Sequence, residues 1–198
     1  MDWKLILQIV GVILGLLYLY LQYKADIKLW AVGVIMPAVH GFLYFKSGLY
    51  ADAGMQLYYV AAGIWGFAAW MLARRKRDEA GDHGRNADDA DGISTTPKRL
   101  WPILVAIYAV LHALLYLFLR CCTDSTVPFW DAMTTSASVV AMWMLSRKYV
   151  EQWLVWGVVD AITVALYVYK GIPITACLYL LYTVLAVIGF RHWKVQAH

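Results

Sequence analysis

Long apolar runs constrain this chain more than any other feature of its sequence. Seven runs of 17 to 21 residues follow one another, at 5–23, 29–45, 53–73, 100–119, 127–146, 149–169 and 173–190. About twenty apolar residues in a helix cross the hydrocarbon core of a bilayer. Ten tryptophans agree with this interpretation, because tryptophan favours the boundary between membrane and water. We therefore predict an all-α integral membrane protein with seven transmembrane helices.

The lysines and arginines predict how these helices are oriented. Positively charged residues accumulate in cytoplasmic loops, and thirteen of the seventeen fall on one side if the N-terminus lies outside. The stretch 74–99 carries seven of them, and its mixture of both charges with Gly, Ser, Thr and Pro is typical of a flexible linker. The prediction is a cytoplasmic linker, a cytoplasmic C-terminus and an external N-terminus.

The two halves of the chain resemble each other. With a shift of 123 residues and no gap, twelve of the 41 positions from 30 to 70 are identical to their counterparts. Shared hydrophobicity explains matched alanines and leucines, but it does not align glycines and aromatic residues. The most informative identities are Trp30 with Trp153, Tyr59 with Tyr182, Gly66 with Gly189, and Trp70 with Trp193.

This internal repeat predicts the domain organisation. We expect one three-helix repeat over 1–73, the linker over 74–99, a spacer helix over 100–119, and a second three-helix repeat over 127–198. The two repeats are parallel in the membrane, because the spacer supplies the odd helix between them. Transporters built from parallel repeats hold their substrate near the midplane between the halves.

The sixth apolar run contains a carboxylate, Asp160, near its middle. An ionised side chain at that depth is expensive and is therefore usually functional. This carboxylate belongs to a series whose successive members are three or four residues apart, so all five share one helical face: Trp153, Trp156, Asp160, Thr163 and Tyr167. Such a face can hold a flat cation. The alternative is that Asp160 pairs with a neighbouring helix and the tryptophans belong to the membrane-boundary belt.

Polar residues in the first half are the other candidates for a site. Pro37 stands where the second half has Asp160, and His40 follows three residues later. Gln56 and Tyr59 share one face of the third helix, and Tyr59 corresponds to Tyr182 of the seventh. Hydrogen bonds between helices and simple packing are the alternative explanations for these residues.

The sequence contains no catalytic or metal-binding motif. It has no HExxH string, no Gly-rich phosphate loop after a strand and no plausible Ser-His-Asp set, and its three cysteines fit no zinc or redox spacing. We expect neither an enzyme nor a bound metal or cofactor.

Several stretches of the chain match a known family. These stretches are Gly48–Gln56, Phe129–Asp131, Ala141–Trp156 and Tyr167–Gly171. The chain resembles the PnuC family of vitamin transporters over nearly its whole length except the linker. The most specific string is Arg-Lys-Tyr-Val-Glu-x-Trp-x-x-Trp, which ends at Trp156.

The resemblance implies a bacterial inner-membrane facilitator with a three-plus-one-plus-three arrangement of helices, like a full-length SWEET protein. It also implies a homotrimer with one path in each protomer. Such a protein passes unphosphorylated vitamins by facilitated diffusion, and a cytoplasmic vitamin kinase traps the product. A non-transporting scaffold or receptor-like subunit is the alternative from another class, and a scaffold would not need a polar midplane.

The resemblance also bears on the substrate. Members that carry nicotinamide riboside have asparagines in helices 2 and 6, where this chain has Met36 and Asp160. The chain is more similar to the thiamin-transporting PnuT branch, so thiamin is the expected substrate, with nicotinamide riboside as the alternative because its ring is also a cation. The expected contacts are charge from Asp160, stacking by Trp153 and Trp156, and polar contacts from Gln56, Tyr59 and Tyr182, with His40 and Met36 beside them.

Overall fold

The computed structural model describes residues 3–46, 50–79, 92–123, 125–169 and 173–197, and every long element in them is an α-helix. The helices are α1 (Trp3–Tyr23), α2 (Lys28–Lys46), α3 (Tyr50–Glu79), α4 (Trp101–Cys122), α5 (Pro128–Ser146), α6 (Gln152–Tyr169) and α7 (Pro173–Gln196). This confirms the prediction of an all-helical chain with seven helices. Among the described residues, three stretches are long and apolar enough to span a membrane: Lys98–Cys122, Gln152–Tyr169 and Ala176–Gln196.

Two helix boundaries differ from the apolar runs. Helix α3 continues to Glu79, six residues beyond the run that ends at 73, because arginine, lysine and glutamate favour a helix although they are polar. Helix α6 begins at Gln152 and not at 149. The reason is Lys148, whose positive φ of 55° places it in the left-handed region that ends a helix.

The chain divides into two compact units, Met1–Asp91 and Gly92–His198. In the first unit, α2 packs against both α1 and α3. In the second unit, α6 packs against both α5 and α7, and α4 packs against α5. Each unit therefore contains one helix that is flanked by two others.

A tryptophan seated on a glycine holds α2 against α3 in the first unit. Trp30 is fully buried, and a Cβ at Gly66 would overlap its ring. The Trp70 ring meets Trp30 edge-on, with ring centroids 5.6 Å apart and an interplanar angle of 88°. Only glycine leaves room for so close an approach.

The second unit repeats this packing between α6 and α7. Trp153 lies on Gly189, where a Cβ would be 2.6 Å from the indole ring. The Trp193 ring meets Trp153 edge-on at 5.8 Å and 89°. All three residues stand 123 positions after their counterparts, so the repeat in the sequence corresponds to a repeat in local structure.

The turns before α2 and α6 also share one backbone conformation. Ala25 and Lys148, which are 123 positions apart, both have positive φ, 52° and 55°. The Asp26 N–H donates to the Leu21 carbonyl (2.9 Å), and the Tyr149 N–H donates to the Met144 carbonyl (3.0 Å). Four further backbone hydrogen bonds in each turn follow the same shift. The matched geometry therefore begins before position 30, where the sequence identities begin.

Helix α4 exposes apolar side chains on most of its surface. Exposed examples include Ile103, Val105, Val110, Leu114 and Phe118. Exposing so much apolar surface to water is unfavourable, whereas contact with lipid is not. The surface of α4 thus agrees with a helix that spans a membrane.

Candidate substrate site

The contact between α6 and α7 places Asp160 beside Tyr182. The two helices run antiparallel, so Trp153 meets Gly189 and the next contact joins Gly157 to Ala186, where a Cβ on the glycine would lie 3.5 Å from the alanine methyl group. One turn further along, Tyr182 is close enough to Asp160 for the phenol and the carboxylate to interact electrostatically.

Asp160 is a nearly buried acid at the ninth of the eighteen positions of α6. Its exposed fraction is 8%. Among the residues that the structure describes, no lysine or arginine forms an ion pair with it. A buried carboxylate that lacks a protein counter-ion is costly to keep charged. A cationic ligand would supply the missing charge, so this position suits recognition of a cation.

Three tyrosine rings extend from Asp160 toward the C-terminus of α6 and the N-terminus of α7. Tyr179 and Tyr182 meet edge-on with centroids 5.7 Å apart, and Tyr179 stacks on Tyr167 at 5.4 Å and 21°. Flat rings next to an acid favour a flat cation, since the face of an aromatic ring attracts positive charge.

Sequence reasoning did not select Tyr179 as a site residue. The signal was present, because Tyr179 is the counterpart of Gln56 under the 123-residue shift and lies one turn before Tyr182. The two halves thus differ at this position as they do at Asp160.

The two tryptophans of α6 have different environments. Trp153 is only 2% exposed and is packed between Gly189 and Trp193, which differs from the prediction that it stacks on a ligand. Trp156 is half-buried, and its indole N–H, like that of Trp153, is buried without a hydrogen-bond partner among the described residues. Trp156 therefore has a donor that a ligand can use.

The hydroxyl group of Thr163 is already engaged. It donates to the Val159 carbonyl of the preceding turn (2.7 Å). Thr163 consequently offers a ligand less than its place on the predicted face suggests.

The remaining predicted site residues belong to the first unit. The Tyr59 ring meets Tyr58 edge-on at 5.4 Å. Gln56 and Met36 are half-buried. His40 lies in α2, but its side chain is outside the described residues. Among the predicted site residues, the structure brings Asp160 and Tyr182 together within the second unit.

Tyr18 is a residue that sequence reasoning missed. Its hydroxyl is buried without a hydrogen-bond partner among the described residues, and its ring lies against Gly33. Its counterpart in the second half is Ala141, so extending the shift to α1 would have revealed this difference.

No group of three potential metal ligands occurs in the parts of the chain that the structure describes. The polar groups near Asp160 are phenols and an indole, which are poor ligands for most metal ions.

Comparison with known proteins gives consistent matches along the chain. The family model described as nicotinamide mononucleotide transporter matches residues 5–195. The nicotinamide riboside transporter PnuC of Escherichia coli (strain K12) is 27% identical over 94% of this chain and 84% of its own length. The riboflavin/roseoflavin transporter RibM of Streptomyces davaonensis is 30% identical over 95% of this chain and 84% of its own length. A crystal structure of the vitamin B3 transporter PnuC shares the fold, with a TM-score of 0.71 and 24% identity over 95% of this chain and 80% of that one.

Proposed function

This chain belongs to the nicotinamide mononucleotide transporter family, the family of PnuC, and from that premise we propose that it carries an unphosphorylated B vitamin across a membrane. The family and the named relatives are transporters and not enzymes. These relatives are named for nicotinamide riboside and for riboflavin and roseoflavin, none of which carries a phosphate group.

Asp160 is the observation that carries the choice among substrates. A nearly buried carboxylate with no described basic partner favours a vitamin whose flat ring is positively charged. Nicotinamide riboside is the first candidate, since relatives from Escherichia coli and Neisseria mucosa carry that name, at 27% and 25% identity. Thiamin is the second candidate, because the acid stands where the riboside pattern has an amide. Riboflavin has no positive charge, so Asp160 disfavours it.

The geometry around Asp160 supports the contacts proposed within the second unit, and the sequence suggests the others. The carboxylate would lie beside the cationic ring, and Trp156 and Tyr182 would contact the ring or its substituents. A cation held over an aromatic ring gains about 0.5 to 2 kcal/mol. Gln56, Tyr59, His40 and Met36 are proposed as contacts from the first unit. Trp153 is proposed to support the site by packing α6 against α7.

We further propose that transport is facilitated diffusion by a three-plus-one-plus-three protein in the bacterial inner membrane. The matched turns and the matched tryptophan–glycine packing of the two units support the repeat on which this arrangement depends. A homotrimer, a cytoplasmic linker and C-terminus, and trapping by a cytoplasmic vitamin kinase complete the proposal. The sequence contains no nucleotide-binding motif that would point to ATP-driven transport.

Uptake into proteoliposomes that contain only this protein tests the proposal. Labelled nicotinamide riboside, thiamin and riboflavin are compared with protein-free liposomes under the same conditions. We expect the two cations to enter until inside and outside concentrations are equal, without a gradient, and riboflavin to enter more slowly.

Three results would change the proposal. No uptake of any vitamin would favour a scaffold. Accumulation above the outside concentration, driven by an imposed pH gradient while the membrane potential is clamped at zero, would identify a proton-coupled transporter, with Asp160 as the candidate proton site. Faster entry of riboflavin than of either cation would refute the role of charge.

A further inference from the structure

The second unit contains a contact between its first residues and the turn that precedes α6. We name residues 92–97 the latch segment and residues 147–151 the corner. The Ser94 N–H donates to the Lys148 carbonyl (3.2 Å), and the Val150 N–H donates to the Ser94 carbonyl (3.0 Å). These two bonds form a short parallel bridge between the latch segment and the corner.

Glu151 holds the end of the latch segment. One oxygen of its carboxylate, Oε2, accepts two hydrogen bonds from Thr96, from the backbone N–H (2.8 Å) and from the hydroxyl group (2.7 Å). Hydrogen bonds to a charged acceptor are shorter and about twice as strong as neutral ones. Ile93, Thr96 and Val150 are all buried around this contact. The latch segment is therefore packed and is not a flexible part of the linker.

The equivalent turn of the first unit shows that such a contact is not needed to begin the helix. There Asp26 caps α2 itself, because its side chain accepts a hydrogen bond from the Lys28 N–H (2.9 Å). In the second unit, Tyr149 replaces Asp26 and Glu151 replaces Lys28. The acid of the second turn therefore stands two positions later than that of the first, and it binds the latch segment instead of capping its own helix. The backbone hydrogen bonds of the two turns are the same.

We propose that Glu151 is a positioning residue for the transport site, which it serves by fixing the start of α6 through the latch segment. Glu151 immediately precedes α6, and Trp156 and Asp160 follow within three turns. Loosening the start of α6 lowers the fraction of molecules in which these side chains are in place. The apparent dissociation constant rises by the inverse of that fraction, whereas saturating substrate restores the bound arrangement and with it the maximal rate. This proposal depends on the proposed function, because its readout is transport.

Kinetics of uptake by the full-length protein test the proposal. We expect Glu151→Ala to raise the half-saturation concentration about ten-fold and to leave the maximal rate unchanged. Thr96→Val keeps the backbone hydrogen bond and loses only the hydroxyl group, so its half-saturation concentration should rise about three-fold. Thr96→Ser keeps a hydroxyl group at this position and should behave as wild type. Thr95→Val, at the exposed neighbouring position, is the matched control.

Hydrogen exchange measured on the same samples separates the latch segment from the transport reaction. The amide hydrogens of Ser94 and Thr96 should exchange slowly in wild type and fast in Glu151→Ala. If they remain slow in Glu151→Ala, Glu151 does not hold the segment and the proposal is refuted. If they become fast while the half-saturation concentration is unchanged, the segment is only structural and the proposal is again refuted. Absence of uptake by the wild type would count against the proposed function, whereas the ratio between variant and wild type tests Glu151.

Discussion

Helix pairs α2–α3 and α6–α7 are alike near the start of α2 and α6, and they differ nearer the middle of these two helices. Near the turns, each pair seats a tryptophan on a glycine with a second tryptophan against its edge. Further along, Pro37 occupies the position of Asp160, and Gln56 occupies that of Tyr179. The packing was duplicated and the chemistry was not. In a repeated fold, the positions that differ on a shared backbone are therefore the best candidates for function.

The turns before α2 and α6 teach the same lesson. Five backbone hydrogen bonds coincide after the shift of 123 residues. The acidic side chain does not, since Asp26 caps its own helix while Glu151 binds Thr96. One backbone conformation thus carries two different connections.

Adding a methyl group at the two glycines that contact tryptophans should have the largest effect on the packing of the two pairs. Gly66→Ala and Gly189→Ala should each lower the free energy of unfolding by about 2 to 3 kcal/mol, because the new methyl group overlaps a buried indole ring. Gly157→Ala is the matched control, since its Cβ would lie at an ordinary 3.5 Å from Ala186. It should be neutral or stabilise the helix by up to about 1 kcal/mol. Thermal unfolding in detergent measures all three, and tolerance of alanine at only one of the two sites would show that the pairs pack differently.

Replacing single tryptophans should sharpen the distinction between packing and binding. Trp30→Phe and Trp153→Phe should each cost about 1 to 2 kcal/mol of stability, because each leaves a cavity beside its glycine. Trp156→Phe should leave stability nearly unchanged and weaken vitamin binding about three- to ten-fold, through loss of the larger ring and of the indole N–H. Calorimetric titration and thermal unfolding of the same samples measure both quantities. Weaker binding with Trp153→Phe than with Trp156→Phe would assign the stacking role to Trp153 after all.

The cap of α2 carries the smallest of these effects. Asp26→Ala should lower the free energy of unfolding by about 1 kcal/mol, because the Lys28 N–H loses its acceptor. Asp26→Asn keeps an acceptor and should cost less than half as much. An equal loss in both variants would instead point to the ion pair with the exposed Lys28 side chain, at 3.7 Å, although exposed pairs usually contribute little.

Hydrophobicity was enough to predict the helices, and aligned glycines and aromatics were enough to predict the repeat. Hydrophobicity was not enough to predict where each helix begins and ends. The charged residues 74–79 extend α3 because charge does not oppose a helix, and the start of α6 depends on a left-handed lysine that no propensity indicates. The docking of Thr96 on Glu151 could not be predicted either, because it joins residues 55 positions apart.

The candidate site was predicted in part. Asp160 was visible because a carboxylate in an apolar run is conspicuous, and Tyr182 because it matches Tyr59. Trp153 and Trp156 could not be told apart by spacing. Only the close approach of Gly189 shows that the Trp153 ring packs against α7. Burial of this kind depends on the neighbouring helix and not on the local sequence.

One measurement tests most directly whether Asp160 reads the positive charge of the substrate. Nicotinamide riboside and its reduced dihydro form have nearly the same shape, but only the first carries a charge on its ring. We expect the wild type to bind the cation at least about ten-fold more tightly than the reduced form, which is about 1.4 kcal/mol, and Asp160→Asn to lose this preference while remaining folded. Asp131→Asn, which changes an acid in the first turn of α5 that binds Ser125, should retain it. A folded Asp160→Asn protein that prefers the cation as strongly as the wild type would show that the charge is recognised elsewhere.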